Sequence, residues 1–250
     1  SFDGVNDYAI STEKSSSFFQ PGQSHTLELW FKTSSGGKQY PDGQVYLLGN
    51  YDRGSSGGGT TGITTIGIQA SNASKPGKAT FGALGLEASL FSNTRIDDNE
   101  WHHLAGVYDR TNQMAYLFVD GTLEAQTNIL NPADHGNAIN KMRVGGIAPL
   151  IALTRYIACS IGSVRISKSA RYSANFSPAT SLVSDSNTTG LWNVNEGSGN
   201  VLNDLSGNNY DITINGATWH TNGPQELTST NSNAAPVFAP EPVAIPEGSI

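Results

Sequence analysis

The feature that most constrains this chain is the period of its apolar runs. From residue 1 to about residue 220 the apolar side chains recur at every second position in short runs, and almost no stretch holds a 3.6-residue period over two turns. A strand sends alternate side chains to opposite faces, whereas a helix must bury positions three and four apart, so this pattern describes strands. Gly, Asn, Asp and Pro separate the runs, which predicts an all-β sandwich of many short strands. In Thr26–Lys32, Leu27, Leu29 and Phe31 share one face while Glu28 and Trp30 share the other. Neither face reads as plain solvent, so a central strand is expected there. Trp101–Val107 and Met114–Val119, joined by the polar stretch Asp109–Gln113, read as a hairpin. Asp120-Gly121 then tolerates positive φ at both positions and predicts a tight turn into a third strand, Thr122–Gln126. Further strands are expected near Gln44–Leu48, Ile63–Gln69, Ala79–Leu84, Met142–Gly145, Ile157–Ile166, Gly190–Val194 and Asp211–Ile214.

Composition narrows the partners. Of the 250 residues only 14% are charged, against a usual share of about 25%, and 28 are glycine. The surface is therefore neutral and polar. With 14 Lys and Arg against 21 Asp and Glu the net charge is −7, so nucleic acid would meet repulsion and is not expected as a partner. No apolar run approaches the ~20 residues of a membrane span, so no membrane insertion is expected. The start, Ser1-Phe2-Asp3, has neither an initiator Met nor a signal-peptide pattern, as expected of a mature or excised piece. Cys159 is the single cysteine and can make no internal disulfide, so stability must come from packing or a bound metal. Five of the 11 prolines (Pro224, Pro236, Pro240, Pro242 and Pro246) fall in the last 30 residues. That divides the chain into a sandwich domain, 1–220, and an extended linker or docking tail, 221–250, which would rest on a neighbouring subunit or a small docking surface.

Several segments together resemble the laminin-G-like family of the concanavalin A-like lectin/glucanase superfamily. They are the opening Phe2–Tyr8, the strand His25–Phe31, the hairpin Trp101–Gly121, the segment Ile161–Tyr172, and Gly190–Gly199 followed by Asp204–Asn208 and Gly216–Trp219. The resemblance implies a jelly-roll sandwich of two antiparallel sheets, concanavalin A-like, with the extended C-terminal tail appended. One departure stands out: the Glu196-Gly-Ser-Gly199 and Asp204-Leu-Ser-Gly-Asn208 segment often precedes the Phe-Asp-Gly strand in such domains and here comes last. A circularly permuted order is therefore expected, with the last strand closing the sandwich beside the N-terminal one.

The candidates for chemistry are few. Superfamily members that hydrolyse glucans resemble one another in a strand of alternating carboxylates, because retaining hydrolysis needs an acid and a nucleophile about 5 Å apart. Glu28 has no Asp or Glu two residues away on its face, so it is expected to be a hydrogen-bonded structural carboxylate, and no catalytic residue is assigned. His102 and His103 are adjacent and must point to opposite faces, and His25, His135 and His220 have no zinc-ligand spacing. Arg53–Gly62 is glycine-rich but lacks the Gly-Lys-Ser/Thr ending of a phosphate loop. Tyr40, Asp42, Tyr51, Asp52 and Arg53, around that loop, offer aromatic faces and polar forks suited to a sugar ring and are the candidate ligand-binding residues. Calcium is the expected cofactor, since hard cations take oxygens at turns and since calcium-bearing members of the superfamily are known. If the last strand lies beside the first, Asp3, Gly4, Glu196, Asp204 and Asn208 would supply the oxygens; the alternative is that Asp204 and Asn208 bond their own backbone as turns.

The sequence thus predicts a noncatalytic, calcium-stabilised module, extracellular or on a cell or virion surface, that binds a glycan or surface receptor. The rival from another class is a structural module of a tail fibre, virion or large adhesin, with the 221–250 tail making subunit contacts.

Overall fold

The alternation is realised as strands throughout the residues that the computed structural model describes, which are 1–36, 43–50, 64–71, 73–132, 141–147, 155–221 and 223–224. One sheet holds β1 (Phe2–Asp3), β3 (His25–Lys32), β8 (Trp101–Asp109), β9 (Met114–Val119), β10 (Thr122–Asn128), β14 (Ala158–Ser167) and β15 (Thr188–Trp192). Their order is β1-β14-β3-β8-β9-β10, with β15 also paired to β14. The second sheet holds β2 (Tyr8–Lys14), β4 (Gln44–Gly49), β5 (Thr64–Gln69), β6 (Lys78–Ala83), β7 (Leu90–Arg95), β11 (Lys141–Val144), β16 (Val201–Leu202) and β17 (Ile212–Asn215). Its order is β16-β17-β2-β11-β4-β5-β6-β7. A small pair, β12 (Gly146–Ile147) with β13 (Arg155–Tyr156), and one helical turn, α1 (Ser15–Phe18), complete the described elements. Among these residues no helix is long and apolar enough to cross a membrane.

The core lies between the two sheets, and the alternation of β3 shows why. Leu27, Leu29 and Phe31 are fully buried in one cluster with Val45, Ile66 and Phe81 of the opposite sheet. β3 is central as expected, running antiparallel to β8 on one side (Leu29 opposite Leu104) and to β14 on the other (Leu29 opposite Val164). The sheets approach so closely at Gly106 that a Cβ there would sit 2.2 Å from the Phe81 ring, which is why β8 carries no side chain at that point. The β8–β9 hairpin forms with Asp109 opposite Met114. Asp120 and Gly121 take φ of 50° and 76°, the doubly positive turn that matches strand twist.

The last described strand lies against the N-terminal region, on the second strand rather than the first. β17 pairs with β2, Thr213 opposite Ile10, and the Thr218 amide donates to the Ser1 carbonyl at 2.9 Å. Meanwhile β1 joins β14 in the other sheet, so the chain changes sheets within its first eight residues.

Candidate functional site

The outward face of β3 is not open to solvent. The segment that follows β14 crosses it, and Tyr172 stacks on Phe176 there with ring centroids 3.6 Å apart, both packed against Phe118. The crossing is tied down where Phe176 N donates to the Gly121 carbonyl (2.9 Å) and Trp30 Nε1 donates to the Ala179 carbonyl (2.9 Å). Beneath it Glu28 is fully buried. Its Oε1 accepts from Arg165 Nε at 2.7 Å, and its Oε2 accepts from Tyr172 OH at 3.0 Å and His103 Nε2 at 3.2 Å. A carboxylate can only accept, so the His103 proton sits on Nε2. Arg171, 3.8 Å from Glu28, pairs with Asp185 at 2.7 Å. Burial favours the neutral Glu28 acid, but the hydrogen bond and charge of His103, then those of Arg165, outweigh it and hold the carboxyl below its usual range. A general acid must carry a proton near neutral pH and reach a substrate; Glu28 is ionised, covered and bonded at both oxygens, in keeping with the structural role expected of it.

The adjacent histidines diverge as strand geometry requires. His102 lies between Asp120 (Nδ1 to Oδ2, 2.7 Å) and Asp98 (Nε2 to Oδ1, 3.0 Å). Burial works against its charged form, yet Asp120 and then Asp98 raise its pKa overall. Cys159 is buried beside β1, and burial pushes its thiol up to about 12, so it is an inert hydrophobe.

The five residues expected to hold calcium do not converge as one ligand shell. Among the described residues no three His, Cys, Asp or Glu side chains gather where they could hold a metal ion, although the expected set contains Asp3, Glu196 and Asp204. Asp204 shows the physical reason: Oδ1 accepts from the amides of Leu191 (3.0 Å) and Ser206 (2.9 Å), and Oδ2 accepts from Ser206 Oγ (2.7 Å) and the Tyr210 amide (3.0 Å). Its lone pairs are spent on protein donors, the turn-building alternative. Asn208 Nδ2 donates to the Thr189 carbonyl (3.2 Å). Asp3 Oδ1 accepts from the Val5 amide (2.7 Å), and Gly4 backs onto β14, where a Cβ would lie 2.6 Å from Ala158 N. Glu196 Oε1 accepts from the Asn203 amide (2.8 Å), whereas its Oε2 is buried with no donor. The candidate ligand-binding residues Tyr40, Asp42, Tyr51, Asp52 and Arg53 lie outside the described residues.

A cleft that the sequence reading did not find opens where β14, β15, β17 and the last described residues meet. Its volume is about 340 Å³. Apolar walls come from Phe2, Trp101, Ile161, Leu202, Ile214 and Trp219, and the polar lining from Ser163, Thr180, Ser181, Asn193, Asn195 and Thr218. No Asp, Glu, Lys or Arg lines it among the described residues. Local irregularities shape it. β14 bulges, with Ile161 opposite Phe31 but Val164 opposite Leu29, so Gly162 and Ser163 together face one residue fewer on β3. Pro224 closes over Gly162, where a Cβ would be 3.0 Å from the proline ring. Val194 holds φ of 51°, an outlier for a β-branched residue. Two buried oxygens, Ser163 Oγ and Asn193 Oδ1, have no hydrogen-bond partner among the described residues. The only hint in the sequence was the pair of asparagines at 193 and 195, polar residues at alternate positions beyond an apolar strand.

Known proteins match this architecture. A laminin-G-type family model, described as concanavalin A-like lectin/glucanases superfamily, matches residues 3–177. Among curated proteins none matches. Of solved structures, a candidate carbohydrate-binding protein from Bacteroides ovatus superposes with TM-score 0.60 at 16% identity, over 84% of this chain and 57% of that one. The chain thus spans little more than half the length of that protein, and the likeness is one of fold. Mouse laminin α1 domains LG4-5 give TM-score 0.46 at 16% identity over 68% of this chain and 42% of that one. The sialidase module CBM40 of Ruminococcus gnavus, bound to α2,3 sialyllactose, gives 0.44 at 13% identity over 63% and 86%. These last two superpose too loosely to bear on the site.

Proposed function

Since the chain belongs to the concanavalin A-like lectin/glucanases superfamily, we propose that it is a noncatalytic carbohydrate-binding module working outside the cell or on a cell or virion surface. The observation that supports this reading is the state of Glu28: the face of the sheet is covered by the chain itself and its carboxylate is ionised and bonded to Arg165, His103 and Tyr172, so it is not placed to act as a general acid. The fold shared with a candidate carbohydrate-binding protein supports the ligand class. Single sugar sites bind weakly, so the module would act in several copies within a parent assembly.

The test is the full 250-residue chain on a glycan array, once with millimolar calcium and once with chelator. Binding to a defined glycan, with no cleavage of it, is the expected result. Calcium enters as a variable because Glu196 keeps a buried oxygen without a donor; dependence on the ion would show that the acidic turns rearrange around it. A second reading, an assembly module whose tail contacts a neighbour, draws on Pro224, a residue of that tail, which packs on Gly162. A folded chain silent on the array under both conditions would select that second reading.

A further inference from the structure

Resting on the carbohydrate reading above, we infer that the cleft beside the β14 bulge is the sugar site and that it takes an uncharged sugar unit, rejecting uronates, sialic acids and sulfated sugars. Three features of the cleft lead there. Its volume of about 340 Å³ falls within the range of roughly 300–1,000 Å³ for small-molecule sites. Its lining offers indole and aliphatic surface on one hand and, on the other, chiefly hydroxyl and amide groups, with the imidazole of His220 and the amino group of Ser1. An anion drawn into it would lose its hydration and meet no Lys or Arg; the basic groups present are His220 and the Ser1 amine, and that amine already donates to the Thr218 carbonyl. A sugar ring matches both halves, with C–H faces for Trp219 and hydroxyls for the polar side. The Trp219 Nε1 donates to the Gly199 carbonyl at 2.8 Å, which fixes the indole without using its ring faces.

The unsatisfied atoms are the second line of support. Buried side-chain oxygens are nearly always hydrogen-bonded, yet Ser163 Oγ and Asn193 Oδ1 both lack a partner and both residues line this cleft. Ser163 is only 5% exposed, so solvent does not supply the missing bond. The hydroxyl can donate or accept and the amide oxygen accepts, a complement to a ring hydroxyl. Next to Asn193, the positive φ of Val194 turns the chain out of β15 at the cleft wall. Strained backbone next to unpaired polar groups is the pattern of a site built for something other than stability.

The test compares the wild-type chain with Ser163→Ala and Trp219→Ala on an array carrying neutral glycans and glycans ending in uronate, sialic acid or sulfate, with thermal melting of each protein alongside. Wild type is expected to bind neutral glycans only. Ser163→Ala should weaken that binding about three- to tenfold, the worth of one hydrogen bond, while melting at an unchanged temperature because the deleted hydroxyl had no partner. Trp219→Ala should weaken it more than tenfold. Preference for anionic glycans overturns the inference. So does neutral binding that is unchanged in both variants, although the carbohydrate reading would then survive with its site elsewhere. No binding to any glycan by folded wild-type chain removes both.

Discussion

The outer face of β3 and the cleft beside β14 are both concentrations of polar atoms in a protein otherwise sparing with charge, and they are built on opposite terms. On the face, every charge has a counterpart: Glu28 with Arg165 and His103, Arg171 with Asp185. Among the described residues the cleft has no Asp, Glu, Lys or Arg, its basic groups being His220 and the Ser1 amine, and two of its oxygens have no partner. Closed networks of that first kind cost stability when broken and offer a ligand nothing; open, neutral groups of the second kind cost little to remove and are free to bind. Polarity alone therefore does not mark a site: the unpartnered oxygens of the cleft face an open lining, whereas the unpartnered Nδ1 of His103 is sealed beneath the covered face.

The contrast can be broken at several points. Glu28→Gln should have the largest effect, a loss of about 3–5 kcal/mol in urea unfolding, because it leaves Arg165 buried without its counter-charge. Glycan binding by the fraction still folded should persist; a variant of normal stability would show that the network is dispensable. Gly106→Ala comes next, at about 1–3 kcal/mol, since its methyl would press into the Phe81 ring across the core.

His102→Asn should cost about 0.5–1 kcal/mol, the modest value of ion pairs whose carboxylates are about half exposed. The folded pKa of His102 is raised above its unfolded value near 6.5, so its contribution is complete below that value and is lost as pH rises through the folded pKa. The gap between wild type and variant in urea titrations should accordingly be wider at pH 5 than at pH 9, and a gap that widened toward pH 9 would refute the pairing. Glu28 has the opposite sign, its lowered pKa making its contribution present above the unfolded value near 4.3 and lost on acidification through the folded one. Smallest of all, Ser163→Ala should move stability by less than about 0.5 kcal/mol.

Much of the sandwich could be read from local pattern. The split of Leu27, Leu29 and Phe31 from Glu28 and Trp30 placed β3 between two neighbours, and Asp120-Gly121 fixed the β9–β10 turn. The closing of β17 beside β2 came from recognising a displaced segment. β2 and β7 escaped notice because few of their inward positions are large and apolar: Ala9 and Ser11 in one, and in the other Ser92 after a single Leu90. Ser92 is buried by serving the backbone, accepting from the Ala79 amide and donating to the Thr94 carbonyl, a use that hydrophobic periodicity cannot register. The cleft was invisible for a different reason. Its walls come from both ends of the chain, the start of β8, the bulge of β14 and the exit of β15, so no window of sequence contains it. Nor does composition, which counts oxygens, say which are already bonded to protein donors, as those of Asp204 are.

The four tryptophans make the decisive measurement direct, because each indole N–H gives its own signal in a ¹⁵N–¹H spectrum. The full chain would be titrated with the neutral glycan that binds best on the array. Trp219 and Trp101, which both line the cleft, should shift, while Trp30, on the covered face, and Trp192, buried in the core, should not. A titration that moved Trp30 and left Trp219 in place would put the sugar on the sheet face and contradict the assignment of the cleft.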